Sequence, residues 1–198
     1  MKGTATLLSL FLVFAFASYL PSATSFDLFD TDGELLLNGG SYYVVAVKRG
    51  SGGGIELTAT GKETCPVTVV QSRNEVSKGK PVTLYSPILL LYINQNFPIR
   101  IGFTSAPTCA PTSTWTIVEG LPEGPAVKLG DYDDARSGSF KIKKVSEDSH
   151  DYKIVFCSGD DTCEEIGVYV DSKGNRRLVL TQNDPLVVQF QRARSSSE

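Results

Sequence analysis

The chain has 198 residues, 41% hydrophobic and 21% charged, which supplies the apolar material of one globular domain and excludes a disordered polymer. Nineteen Lys and Arg against 22 Asp and Glu give a net charge of -3, the wrong sign for neutralising a phosphate backbone, so nucleic acid is not an expected partner. One His and four Cys beside 18 Gly and 10 Pro make a poor kit for histidine-dependent catalysis and a suitable one for a turn-rich β protein.

The first 25 residues read as a secretory signal. Lys2 precedes an apolar core at residues 7–17 broken only by Ser9, and Pro21 and the small residues Ser22, Ala23, Thr24 and Ser25 follow. The run is too short to span a bilayer, and cleavage before Phe26 leaves residues 26–198 as one mature domain. No second apolar segment approaches membrane length, so a soluble product of the secretory pathway, secreted or vacuolar, is expected to have no membrane contact.

Beyond the signal almost no stretch carries a 3.6-residue apolar period. Short β-branched and aromatic runs alternate instead with Gly, Pro, Asn and Asp clusters, at residues 42–47, 55–58, 67–71, 82–85, 99–103, 115–118, 126–129, 139–145, 152–156, 166–170, 177–181 and 186–190. Twelve runs at this spacing predict an all-β barrel or sandwich. Gly40-Ser41-Tyr42-Tyr43 and Gly138-Ser139-Phe140-Lys141 each open a run and form a faint internal echo. A polar tail closes the chain from residue 191.

One segment departs from this punctuation. After Ser86-Pro87 come Ile88, Leu89, Leu90, Leu91, Tyr92 and Ile93, then the polar Asn94-Gln95-Asn96 before Pro98. By pattern alone the run is a buried strand. Pro87 disturbs that reading, because proline cannot donate to a continuous ladder, and the same run exposed on a loop is an apolar patch of the kind that marks a binding site.

Secretion gives the four cysteines their meaning, since disulfides persist in an oxidising compartment. Three pairings are open to Cys65, Cys109, Cys157 and Cys163. The last two flank Ser158-Gly159-Asp160-Asp161-Thr162 between two strand-like runs, so a local clamp across a hairpin is the natural pairing, leaving Cys65 with Cys109. Zinc is not expected, because there is neither a Cys-x-x-Cys pair nor a nearby His, and no other metal or cofactor is called for. His150 lies in Asp148-Ser149-His150-Asp151, where neighbours in one polar loop cannot assemble the oriented Ser-His-Asp geometry of a hydrolase. The acidic groups Asp131, Asp133, Asp134 and Asp160, Asp161, Glu164, Glu165 read as solvated turns without calcium-loop spacing, and Arg176-Arg177 beside Asn175 reads as a hairpin turn.

Several long segments follow one another along the chain: Leu28-Phe29-Asp30-Thr31-Asp32-Gly33-Glu34-Leu35, Asn38-Gly39-Gly40-Ser41-Tyr42-Tyr43, Cys65-Pro66-Val67-Thr68-Val69-Val70-Gln71-Ser72, Leu121-Pro122-Glu123-Gly124-Pro125-Ala126-Val127-Lys128, Tyr152-Lys153-Ile154-Val155-Phe156-Cys157 and Pro185-Leu186-Val187-Val188-Gln189-Phe190. In this order they resemble the plant Kunitz inhibitors of the soybean trypsin inhibitor type. The resemblance implies an all-β β-trefoil of twelve strands in three pseudo-threefold units with disulfides Cys65–Cys109 and Cys157–Cys163. It also implies that the apolar run is an inhibitory loop. Aligned on Ser86-Pro87, the primary specificity residue is Leu89 and the reactive bond is Leu89–Leu90, with Tyr85, Ser86, Pro87, Ile88, Leu91 and Tyr92 contacting a protease and Asn38 supporting the loop from beneath. The expected product is a monomer that forms a 1:1 complex with a serine endopeptidase and is not itself an enzyme. Family members that inhibit trypsin carry Arg or Lys where this chain has Leu89, so the expected targets are chymotrypsin-, elastase- or subtilisin-like. The alternative on the same scaffold is a seed storage, defence or taste-modifying protein whose loop does not inhibit.

Overall fold

The computed structural model describes residues 27–159 and 162–194, and the expected signal peptide at 1–25, Asp160, Asp161 and the tail at 195–198 lie outside the described residues. Twelve strands follow in chain order: β1 (Ser41–Ala46), β2 (Ile55–Thr58), β3 (Thr68–Gln71), β4 (Val82–Tyr85), β5 (Arg100–Phe103), β6 (Trp115–Val118), β7 (Ala126–Leu129), β8 (Ser139–Lys144), β9 (Tyr152–Cys157), β10 (Cys163–Val170), β11 (Arg176–Thr181) and β12 (Val187–Arg192). In β1, β8 and β12 inward and outward residues alternate, the period of a sheet with one face on a core and one toward solvent. In β3 all four residues are buried, in a strand that pairs with β2, β7 and β11.

The pairings repeat every four strands. The first and fourth strands of each set meet: β1 with β4, β9 with β12, and β5 with β8 through the bridge Ile99↔Phe140. The two middle strands form a hairpin each time, β2–β3, β6–β7 and β10–β11. Successive sets join through β4–β5, β8–β9 and β12–β1, which closes a six-stranded barrel, and the hairpins meet one another through β3–β7, β7–β11 and β11–β3 across one end of it. A closed barrel capped by three hairpins about a pseudo-threefold axis is a β-trefoil. Closure removes the sheet edges that an open sheet of this size would expose.

The core is mainly aliphatic, with two groups of aromatic rings set in it. Tyr42, Tyr152 and Phe190 meet at one end, and Phe103, Trp115, Phe140 and Phe156 form a chain of ring contacts with centroids 5.2–6.1 Å apart. The two tyrosine hydroxyls inside this core hold the N-terminal segment: Tyr42 accepts from Leu37 N–H at 2.8 Å, while Tyr152 accepts from Phe29 N–H at 2.8 Å and donates to Phe29 C=O at 2.9 Å. Buried Asp30 pairs with Arg192 of β12 at 3.2 Å and accepts the amides of Asp32 and Glu34, each at 3.0 Å. Residues 27–38 are thereby pinned across the barrel, where Asp27 and Leu37 bridge to Asn94 and Tyr92.

Disulfides join Cys65 with Cys109 and Cys157 with Cys163, at sequence separations of 44 and 6. Chain-entropy arithmetic assigns about 4 kcal/mol to the long loop and about 2 kcal/mol to the short one. Residues 86–91 form no strand, as the family resemblance implies and not as pattern alone reads them. Other readings from sequence change. Arg176 and Arg177 open β11 and do not form a turn, because Asp171 and Glu123 pair with Arg177 and Gln71 accepts from Arg176. The polar tail begins later than residue 191, since Gln191 and Arg192 pair with Tyr43 and Tyr42.

Candidate functional site

The β4–β5 ladder ends with Tyr85 opposite Arg100, and the chain between them leaves the barrel as a loop. Its first leg is braced by Asn38, whose Nδ2 donates to Leu90 C=O at 2.9 Å and to Ser86 C=O at 3.3 Å, while its Oδ1 accepts from Ser86 N–H at 2.8 Å. The Asn38 backbone N–H adds a bond to Leu91 C=O at 2.9 Å. One side chain with both a carbonyl and an NH2 group therefore satisfies backbone groups on both sides of Leu89. Gly39, with a φ of +81°, turns the chain immediately afterwards into β1, a conformation that suits glycine.

At the apex Leu90 N–H donates to Ile88 C=O at 2.7 Å, a three-residue turn centred on Leu89. Leu89 is 102% exposed and Leu91 68% exposed. Seven of the eleven exposed large hydrophobic residues among those described, Tyr85, Ile88, Leu89, Leu90, Leu91, Tyr92 and Phe97, fall in this one stretch. Such concentration is foreign to a surface shaped only by solubility and marks a surface for contact. Pro87 is exposed beside it with its φ fixed by the ring, whereas Ser86 is buried.

The returning leg is anchored as firmly. Ile93 N–H donates to Leu36 C=O at 2.8 Å, Asn96 N–H to Ile142 C=O at 3.0 Å and Ile99 N–H to Phe140 C=O at 2.8 Å. Asn96 takes a φ of 66°, a left-handed conformation that asparagine tolerates better than most residues. Reading the apolar run from sequence missed Phe97, which brings an exposed ring to this leg; the only signal was one aromatic amid polar turn residues.

The other candidates do not gather into a site. His150 is exposed and stacks on Phe29 with centroids 5.3 Å apart, while Ser149 Oγ accepts from Asp151 N–H and Asp151 Oδ1 accepts from Gln189. Glu164 pairs with Arg136 and Glu165 with Lys153. The Glu119 hydrogen bond, with Glu164 beside it, holds the Arg136 guanidinium above its ordinary value. Among the described residues no three His, Cys, Asp or Glu side chains converge as metal ligands.

Known proteins match along this whole framework. The legume Kunitz family model, described as trypsin and protease inhibitor, matches residues 28–192. The chain is 50% identical over 207 residues to the Kunitz-type trypsin inhibitor KTI1 of Glycine max, with all of both chains covered. It is 46% identical to trypsin inhibitor 1B of Erythrina variegata, covering 86% of this chain and 100% of that one. Soybean trypsin inhibitor, solved in complex with porcine pancreatic trypsin, superposes with a TM-score of 0.79 at 44% identity, over 85% of this chain and 99% of that one. The chain therefore belongs to the legume Kunitz family of trypsin and protease inhibitors, β-trefoil proteins that inhibit proteases and are not enzymes.

Proposed function

We propose that this protein inhibits serine endopeptidases in a 1:1 complex, with Leu89–Leu90 as the reactive bond and with apolar specificity pockets favoured over that of trypsin. The observation that carries the reading is the full exposure of Leu89 on a loop whose flanking backbone is already hydrogen-bonded to Asn38. A serine protease binds an extended segment, its serine attacks the carbonyl, and hydrolysis completes because the leaving amine diffuses away. A loop held at both ends keeps Leu90 N beside the acyl carbon, so the bond re-forms. Affinity follows from preorganisation, because the loop entropy is lost on folding and not on binding. Tyr85, Pro87, Ile88, Leu91 and Tyr92 supply the apolar rim around the bond.

The relatives named above are trypsin inhibitors, and a trypsin-like target would require a cation to meet the carboxylate at the base of that pocket. Leu89 supplies none. Leaving such a carboxylate buried and unpaired costs about 2–5 kcal/mol, whereas leucine in an apolar slot contributes about 1.5–3 kcal/mol. Inhibition constants against chymotrypsin, elastase, subtilisin and trypsin test the reading. At least one apolar-pocket enzyme is expected to bind at least tenfold more tightly than trypsin, and Leu89→Arg to improve trypsin binding by roughly 30-fold or more. Tight trypsin binding that survives Leu89→Arg unchanged contradicts the loop assignment, and no inhibition of any of the four enzymes favours the storage-protein alternative. The two disulfides and the residues 1–25 support a secretory route for the protein.

A further inference from the structure

We propose that the Ser86 hydroxyl is a positioning group that ties the two legs of the loop together and sets how long the inhibitor survives on a protease. The inference rests on the reading of the loop given above. Ser86 is 3% exposed, so its hydroxyl does not face a partner. It donates to Pro98 C=O, twelve positions along the chain on the returning leg, at 3.2 Å, and accepts from Ile88 N–H at 3.3 Å on the ascending leg. Its own N–H and C=O are both taken by Asn38.

Ser86 is thus a four-way junction. Asn38 ties it to the segment beneath, the Ile88 bond fixes the residue before Leu89, and the Pro98 bond reaches the position just before Ile99, which is itself bonded to Phe140 of β8. Asn38 braces Ser86 before the apex and Leu90 and Leu91 just after it. The Ser86 hydroxyl, by contrast, ties the ascending leg directly to the base of the returning leg at Pro98. The two bonds are long and individually weak, yet they act on the spacing between the legs, which governs whether Leu90 N stays within reach of the acyl carbon after attack. Losing them leaves Pro98 C=O and Ile88 N–H without these partners.

Ser86→Ala removes the hydroxyl and keeps a small buried side chain. The expected result against the apolar-pocket protease bound best is a rise of about tenfold in the inhibition constant, carried by dissociation, and an equilibrium between intact and nicked inhibitor shifted toward the nicked form. In the free protein, amide exchange at Ile88 is expected to quicken several-fold while amides of β8 and β9 keep the parent's rates. Ser86→Thr, which restores the hydroxyl, recovers slow Ile88 exchange if its methyl group is accommodated. Unchanged Ile88 exchange in Ser86→Ala overturns the brace, as does exchange that quickens equally throughout the barrel, the mark of a general loss of stability. Faster exchange confined to Ile88 with the parent's inhibition constant and nicking equilibrium overturns the functional half. If the parent inhibits no protease, the reading of the loop fails, and the Ile88 measurement still decides the brace separately.

Discussion

Asn38 and Tyr152 each use one polar side chain to hold backbone groups of another segment, three for Asn38 and two for Tyr152. Asn38→Ala removes three side-chain hydrogen bonds while leaving Gly39 and the turn into β1, and is expected to weaken protease binding about 10- to 100-fold with a smaller effect on the melting temperature. Parallel inhibition and thermal measurements separate the two effects; an unchanged inhibition constant counts against the brace. Tyr152→Phe leaves Phe29 N–H and C=O without their partner inside the molecule and is expected to cost about 1–3 kcal/mol in denaturant unfolding. Burial raises the Tyr152 pKa, consistent with a hydroxyl that stays neutral while it bridges both groups. Residue roles of this kind were only partly legible in the sequence. Asn38 stands before two glycines, a setting that also suits a plain turn, and its support of the loop comes only through the family resemblance. The Ser86 hydroxyl gave no signal, because its partner Pro98 is twelve positions away and the geometry exists only once β4 and β5 pair.

Elements were far more legible, because a half-buried strand writes its period into the chain. The runs at 55–58, 82–85, 115–118 and 126–129 coincide with β2, β4, β6 and β7. The largest discrepancy is β10, which begins at Cys163 and not at residue 166: Cys163 pairs with Cys157 in the ladder, so polar Glu164 and Glu165 continue a strand that hydropathy alone cannot see. At 88–93 pattern alone suggests a strand and the resemblance a loop, since apolar character records burial and binding alike, and the chain forms the loop. Hairpin β10–β11 turns through a cage in which Asp171 Oδ1 accepts from Lys173 and Asn175 N–H and Oδ2 from Asn175 Nδ2. Desolvation raises the Asp171 carboxyl, but the Asn175 and Lys173 hydrogen bonds and the Arg73 charge outweigh it and leave the group below its ordinary value. A depressed folded pKa stabilises above the unfolded value near 4 and loses that contribution as pH falls through the lower folded value. Asp171→Asn is therefore expected to flatten part of the stability decline below pH 4; an acid unfolding profile identical to the parent's contradicts this role.

At the scale of the molecule, the barrel closes only when β12 pairs with β1, and the N-terminal segment is locked to that seam by Thr31 N–H to Phe190 C=O at 2.9 Å and by Asp30 with Arg192. The faint echo between residues 40–43 and 138–141 marks the starts of β1 and β8, which are not equivalent strands of the threefold, so the symmetry itself was not readable from it. Pairings between distant strands, and not local pattern, carry the symmetry. The same connectivity determines the fate of a nicked chain. Cys65 lies before the Leu89–Leu90 bond and Cys109 after it, so their disulfide spans the cut. The two pieces also remain interleaved in one barrel through β4–β5 and β12–β1. Replacing Cys65 and Cys109 together by Ser is expected to lower unfolding free energy by up to about 4 kcal/mol, more than the same change at Cys157 and Cys163. Denaturant titrations of the two double variants check the order, which reverses if loop length does not govern the stabilisation.

Mass spectrometry of the protein after prolonged incubation with a trace of chymotrypsin decides whether Leu89–Leu90 is the bond presented to a protease. The predicted product keeps a single mass, increased by one water, until its disulfides are reduced, and then separates into fragments ending at Leu89 and beginning at Leu90. Cleavage at another bond in the loop, or rapid degradation throughout the chain, would rule out Leu89–Leu90 as that bond.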